Sequence, residues 1–149
     1  MPMDEQLGVL AELQAEGKIR YIGLDTVTAA QLRSALESAP IASVQNAYNL
    51  LDRGSAEVLA LCEARGIAFL PYYPLGSGAL TRESAAAVTS VAAAHRAGPG
   101  QIALAWLLHH SPVLCPTPGT GSPVHLAQNL DAATIHLSAR ELELLDALV

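Results

Sequence analysis

The segment Pro116-Thr117-Pro118-Gly119-Thr120-Gly121-Ser122 is the part of this chain best suited to hold an anion. An apolar run, Pro112 to Cys115, leads into it, and a helical pattern from about 123 to 131 leads out. Free backbone N–H groups at a helix start, together with the helix dipole, favour a phosphate. Thr120 and Ser122 add hydroxyl donors. The same pattern also serves a plain capped turn, and Gly119 and Gly121 lack the third glycine of a G-x-G-x-x-G dinucleotide fingerprint. Tyr72 and Tyr73 follow another apolar run, where an aromatic ring could stack on a flat ligand or simply close the mouth of the fold.

Other constellations fail on spacing. His109 and His110 are adjacent, so on a helix they point about 100° apart, share no metal and are expected to face solvent. Ser77 lies between Gly76 and Gly78 but lacks the G-x-S-x-G nucleophile elbow. Cys62 has no histidine near it in sequence to activate it. Asp4, Glu5, Glu141 and Glu143 read as solvated helix faces, and no P-loop, C-x-x-C or zinc spacing occurs.

The elements that must position these residues alternate. Helical patterns cover residues 4 to 16, 28 to 38 with Thr28 as N-cap, and 55 to 65 starting at Ser55 and stopping at Gly66. Further helices are expected at 83 to 96, 99 to 110 with Pro99 in the first turn, 123 to 131, and 139 to 148 behind Ser138. Strands are expected at Lys18 to Leu24, Ile41 to Gln45, Ile67 to Leu70 and Pro112 to Cys115. These runs are short and apolar, as in sheets covered on both faces. About four βα units with right-handed connections imply a parallel α/β sheet, followed by a C-terminal helix.

The composition supports this reading. Of 149 residues, 51% are hydrophobic and 15% charged, which places the chain among globular proteins rather than disordered ones. No linker divides it, so residues 1–149 read as a single unit. A net charge of −6 argues against nucleic acid, whose backbone requires a basic face. No apolar run approaches the roughly 18 residues that span a bilayer. Asp4 and Glu5 stand where a secretory signal would be basic. Cys62 and Cys115 lie in apolar runs and are expected to be buried free thiols in a reducing cytoplasm.

Barrels of parallel strands bind ligands at the strands' carboxyl ends. After the four runs come Asp25 and Thr26; Gln45, Asn46 and Asn49; Tyr72 to Gly78; and Gly119 to Ser122. This is a polar, glycine-containing rim. A closed barrel takes about eight strands, so about four leave two sheet edges and an apolar face open. Such a unit calls for a homodimer or for a partner that supplies the rest.

In order along the chain, the motifs resemble the aldo/keto reductase family. Glu16-Gly17-Lys18-Ile19-Arg20-Tyr21-Ile22-Gly23-Leu24 resembles the segment entering and forming its fifth barrel strand. Ser43-Val44-Gln45-Asn46-Ala47-Tyr48-Asn49-Leu50-Leu51-Asp52-Arg53 resembles the sixth strand and its loop, and Gly66-Ile67-Ala68-Phe69-Leu70-Pro71-Tyr72-Tyr73-Pro74-Leu75-Gly76-Ser77-Gly78 the seventh. Gln101 to Leu108 resembles the helix that follows, and Pro116 to Thr120 the eighth strand and its phosphate loop. The resemblance therefore implies the C-terminal half of a (β/α)8 TIM barrel and a carbonyl reductase that uses NADPH.

By the same resemblance, Gln45 would hold the nicotinamide carboxamide and Tyr72 would stack on its ring. Leu75, Gly76 and Ser77 would line the pyrophosphate. Gly119, Thr120 and Ser122 would meet the adenosine 2′-phosphate end, with His125 where relatives often carry an arginine, and Gln128 and Asn129 would reach the adenine. Three positions depart from the family pattern. Asp25-Thr26 replaces Ser-Asn, and Gly119 stands where many relatives place a phosphate-binding lysine. The family's catalytic tyrosine, lysine, aspartate and histidine belong to the first four strands, so the resemblance implies little or no reductase activity for this chain alone. Tyr48 and Lys18 match other, structural positions. A non-catalytic nucleotide-binding module and a self-assembling half-barrel are the alternatives.

Overall fold

The computed structural model describes residues 2–76 and 85–149. Helix α1 (Met3–Ala15) precedes β1 (Ile22–Asp25), α2 (Ala29–Ser38), β2 (Ile41–Ala47), α3 (Ala56–Arg65) and β3 (Ala68–Tyr72). Then come α4 (Ala85–His95), α5 (Pro99–His110), α6 (Pro123–Asp131), a 3₁₀ turn (Ala132–Thr134) and α7 (Ala139–Asp146). The strands form one parallel sheet in the order β1-β2-β3, with Asp25 opposite Gln45 and Ala47 opposite Tyr72. Parallel neighbours need a crossover, and the helices supply it.

Local signals explain where the helices begin and end. Thr28 Oγ1 accepts from the Gln31 N–H at 3.2 Å while Gln31 Oε1 accepts from the Thr28 N–H at 2.8 Å, a reciprocal cap. Ser138 and Glu141 make the same box at α7. Gly66 ends α3 at φ +63°, a left-handed conformation that side chains disfavour. Gly23 lies close to β2: a Cβ there would lie 2.6 Å from Ser43 Oγ, so that hydroxyl would have to turn away.

The fourth expected strand, Pro112 to Cys115, is not a regular strand. It joins the sheet by a single parallel bridge, Phe69 to Leu114, with the Phe69 N–H on the Val113 carbonyl and the Cys115 N–H on the Phe69 carbonyl, each at 2.8 Å. Prolines at 112, 116 and 118 have no N–H to extend the ladder. Ser55 precedes α3 as expected, yet its side chain makes no cap bond and instead accepts from Asn46 Nδ2 at 3.2 Å.

The core lies between the sheet and the helices. Its largest buried side chains include Trp106, Tyr48 and Phe69. Tyr48 stacks on Trp106 (6.3 Å between centroids) and meets Phe69 edge-on. Trp106 Nε1 donates to Asp146 Oδ1 at 2.9 Å. The Arg53 guanidinium lies 4.9 Å over the Trp106 ring and donates to the Leu145 and Asp146 carbonyls, which pins α7 to the β2 loop and α5.

Two further expectations, on Cys115 and Glu141, are corrected. Cys62 is buried, and desolvation followed by the neighbouring Glu63 charge pushes its thiol up to about 11, but Cys115 is exposed, in the groove that Leu104 and Leu108 of α5 and Leu126 and Leu130 of α6 also line. His110 is exposed, as expected, but one side of it is engaged: its ring stacks on Trp106 at 4.5 Å and Nε2 bonds to Tyr48 Oη at 2.9 Å. Glu141 is only partly exposed. The Ser138 hydroxyl and N–H, and then His95 Nε2 at 2.9 Å, hold its carboxyl below the usual range.

Candidate functional site

A cleft of about 960 Å³ opens at the carboxyl ends of the three strands. Asp25 ends β1, Gln45 lies beside it on β2, and Tyr72 ends β3, so the parallel register alone brings these three side chains to one mouth. The turn after β1 is fixed from both sides. Thr26 N–H donates to the Gln45 carbonyl at 2.8 Å. Asn46, buried on the helix side, accepts from the Val27 N–H at 3.0 Å and donates to the Val27 carbonyl at 2.7 Å. Asn49 Nδ2 donates to the Tyr73 carbonyl at 3.1 Å, and Thr117 Oγ1 to the Pro71 carbonyl at 3.2 Å.

Two lining residues, Thr26 (φ 53°) and Tyr73 (φ 52°), hold left-handed backbone. That conformation is unfavourable for a β-branched or bulky residue, and the surrounding hydrogen bonds must enforce it. Thr26 Oγ1 donates to Asp25 Oδ1 at 2.9 Å and lies 3.4 Å from Tyr72 Oη.

A second recess, of about 210 Å³, shares Leu75 and Gly119 with the cleft and continues along Thr120, His125, Gln128 and Asn129. It lies at the start of α6, where Ser122 Oγ accepts from the His125 N–H and Thr120 Oγ1 accepts from the Ser122 N–H. The two recesses together gather Gln45, Tyr72, Leu75, Gly119, Thr120, His125, Gln128 and Asn129. Ser122 sits at the helix cap beside the lining, and Gly76 closes the turn after β3 at φ +63°. Ser77 lies outside the described residues.

Sequence reasoning missed Gly98, Gly100 and Gln101, which line the second recess from the start of α5. The Gly-Pro-Gly-Gln pattern marks a helix start, but only tertiary packing turns it toward α6. Among the described lining residues Asp25 is the one formally charged group of the larger cleft, and the smaller recess has no acidic residue. No group of three or more metal-ligating side chains is found among the described residues, and no described helix is long and apolar enough to cross a membrane.

Known proteins share this fold. The family model described as "Aldo/keto reductase family" matches residues 1–149. The chain is 41% identical over 146 residues to an oxidoreductase of Schizosaccharomyces pombe and 40% identical over 146 residues to pyridoxine 4-dehydrogenase of Escherichia coli. These alignments cover 98% of this chain but only 47% and 50% of the relatives, so the chain spans about half their length. All of this chain superposes on 56% of a thermostable aldo-keto reductase crystallised with the inhibitor epalrestat, with a TM-score of 0.94 and 35% identity. An aldo-keto reductase from Klebsiella pneumoniae in complex with NADPH aligns over 99% of this chain and 54% of its own, with a TM-score of 0.88 and 28% identity. With its parallel βα units and this half coverage, the fold is half of a (β/α)8 barrel, and the chain belongs to the aldo/keto reductase family.

Proposed function

We propose that this chain is the cofactor-binding half of an NADPH-dependent carbonyl reductase, the C-terminal half of its barrel, with residues 1–149 acting as one unit. The observation that carries the reading is the junction of two unlike recesses. One is lined by a carboxamide and an aromatic ring, the other lies at a helix start with hydroxyl groups and a histidine, and Leu75 and Gly119 are common to both. The side chains suit the two ends of a dinucleotide. Gln45 offers amide hydrogen bonds and Tyr72 a ring face, while the start of α6 with Thr120, Ser122 and His125 offers donors to phosphate.

In this reading Leu75, Gly76, Ser77 and Gly119 line the pyrophosphate, and Gln128 and Asn129 reach the adenine. When bound, the cofactor supplies a hydride. This chain's residues hold and orient it, and the proton donor with its tuning partners comes from the other half of the barrel, so the chain alone reduces no carbonyl at an appreciable rate. The likeness to a reductase crystallised with NADPH supports the choice of cofactor. We place the protein in the cytoplasm, on two cysteines that both remain free thiols.

Calorimetric titration of NADPH into the purified chain tests the reading. Micromolar binding is expected. Absence of heat, with no protection of the chain against unfolding, would refute it in favour of an assembly fragment. One observation favours assembly as a second role. Val124, Leu126 and Leu130 on α6 are exposed, and an apolar groove of about 340 Å³ runs between α6 and Leu114. A second copy or a separate half-barrel that completes the barrel would cover this surface.

A further inference from the structure

We infer that Asp25 makes the cleft discriminate between the two redox forms of its dinucleotide, favouring the oxidised one. The inference rests on the nicotinamide reading of the larger cleft. The two forms differ by a hydride, so the oxidised ring carries a positive charge that the reduced ring lacks. The charges of the two recesses give the ligand its direction. The acidic group lies in the larger cleft, and the smaller recess, at the start of α6, has none among its described residues. Phosphates are repelled from the first and drawn to the second.

Asp25 stands beside Gln45 in the strand register, in the same mouth as Tyr72. One of its oxygens accepts from Thr26 Oγ1 at 2.9 Å, and the Thr26 N–H is tied to the Gln45 carbonyl, so the carboxylate is oriented by the strand ends rather than left to swing in solvent. No cation among the described lining residues neutralises it. Unit charges about 5 Å apart in near-aqueous surroundings change an affinity by about fourfold, and added salt reduces the effect.

The experiment titrates the full chain with NADP+ and with NADPH, for the unaltered protein and for Asp25→Asn and Asp25→Glu. The preference for NADP+ over NADPH is expected to fall by about fourfold in Asp25→Asn and to persist in Asp25→Glu, with the gap narrowing as salt is raised. Binding of both forms with the same ratio in all three proteins would overturn this inference and leave the cofactor reading intact, as would an equal loss in the Glu variant. Failure of the folded chain to bind either form would overturn both.

Discussion

Around Trp106, on the helix side of the sheet, most polar groups find partners within the chain. The indole N–H is taken by Asp146, the Tyr48 hydroxyl by His110, and the Arg53 guanidinium by the ring face and three carbonyls, while its buried Nε has no partner. Around Tyr72, on the cleft side, the backbone is tied down just as firmly, but the Gln45 side chain is exposed, as is the Asp25 carboxylate. The same strands carry both sets. The contrast shows where this chain spends its own hydrogen bonds on stability and where it leaves them for another molecule.

The sharpest way to break that contrast is at its buried end. Trp106→Ala is expected to destabilise the chain by about 3–5 kcal/mol, through lost burial and a cavity, read as a shift in urea midpoint at unchanged slope. A loss below about 1 kcal/mol would mean the cluster is not the anchor of α7. Asn46 belongs to both sides, since its buried amide holds the turn that carries Thr26. Asn46→Ala should cost about 1–3 kcal/mol by leaving both Val27 backbone groups unpaired, and should also weaken dinucleotide binding. Full affinity in a destabilised Asn46→Ala protein would show that the two sides are independent.

The smallest effect expected is in the pH dependence. Burial, partly offset by Asp146, holds the His110 pKa below its ordinary value. A histidine whose folded pKa is depressed contributes stability that is complete above its unfolded value of about 6.5 and is lost as pH falls through that value and then the folded one. His110→Gln should therefore flatten the stability profile below about pH 6.5 without altering the cleft. An identical profile in the variant would assign that acid sensitivity elsewhere.

How far the sequence could reveal all this follows from the range of each interaction. The caps at Thr28 and Ser138 and the stop at Gly66 are local, span three residues or fewer, and are readable in the chain itself. So is the gathering of Asp25, Gln45 and Tyr72 at one end of the sheet, because parallel strands must place their carboxyl ends together. The Tyr48–His110 bond joins residues 62 apart, and no pattern near either residue announces it. The irregularity after Pro112 was hidden differently, since Val113-Leu114-Cys115 has strand composition but its flanking prolines lack the donors a ladder needs. Cys115 misled because an apolar run signals burial only when its neighbours close over it, and here the groove beside α6 stays open.

The left-handed backbone at Thr26 and Tyr73 has a consequence for how this chain can change. Each such residue carries about 1–3 kcal/mol of conformational strain, and glycine at either position would release it. A search for thermally hardier variants would therefore be drawn to these two residues, which are the ones whose fixed backbone shapes the cleft mouth. Selection for hardiness and selection for a rigid cleft pull in opposite directions there, and the residues found at these two positions in hot-adapted relatives would record which pressure prevailed.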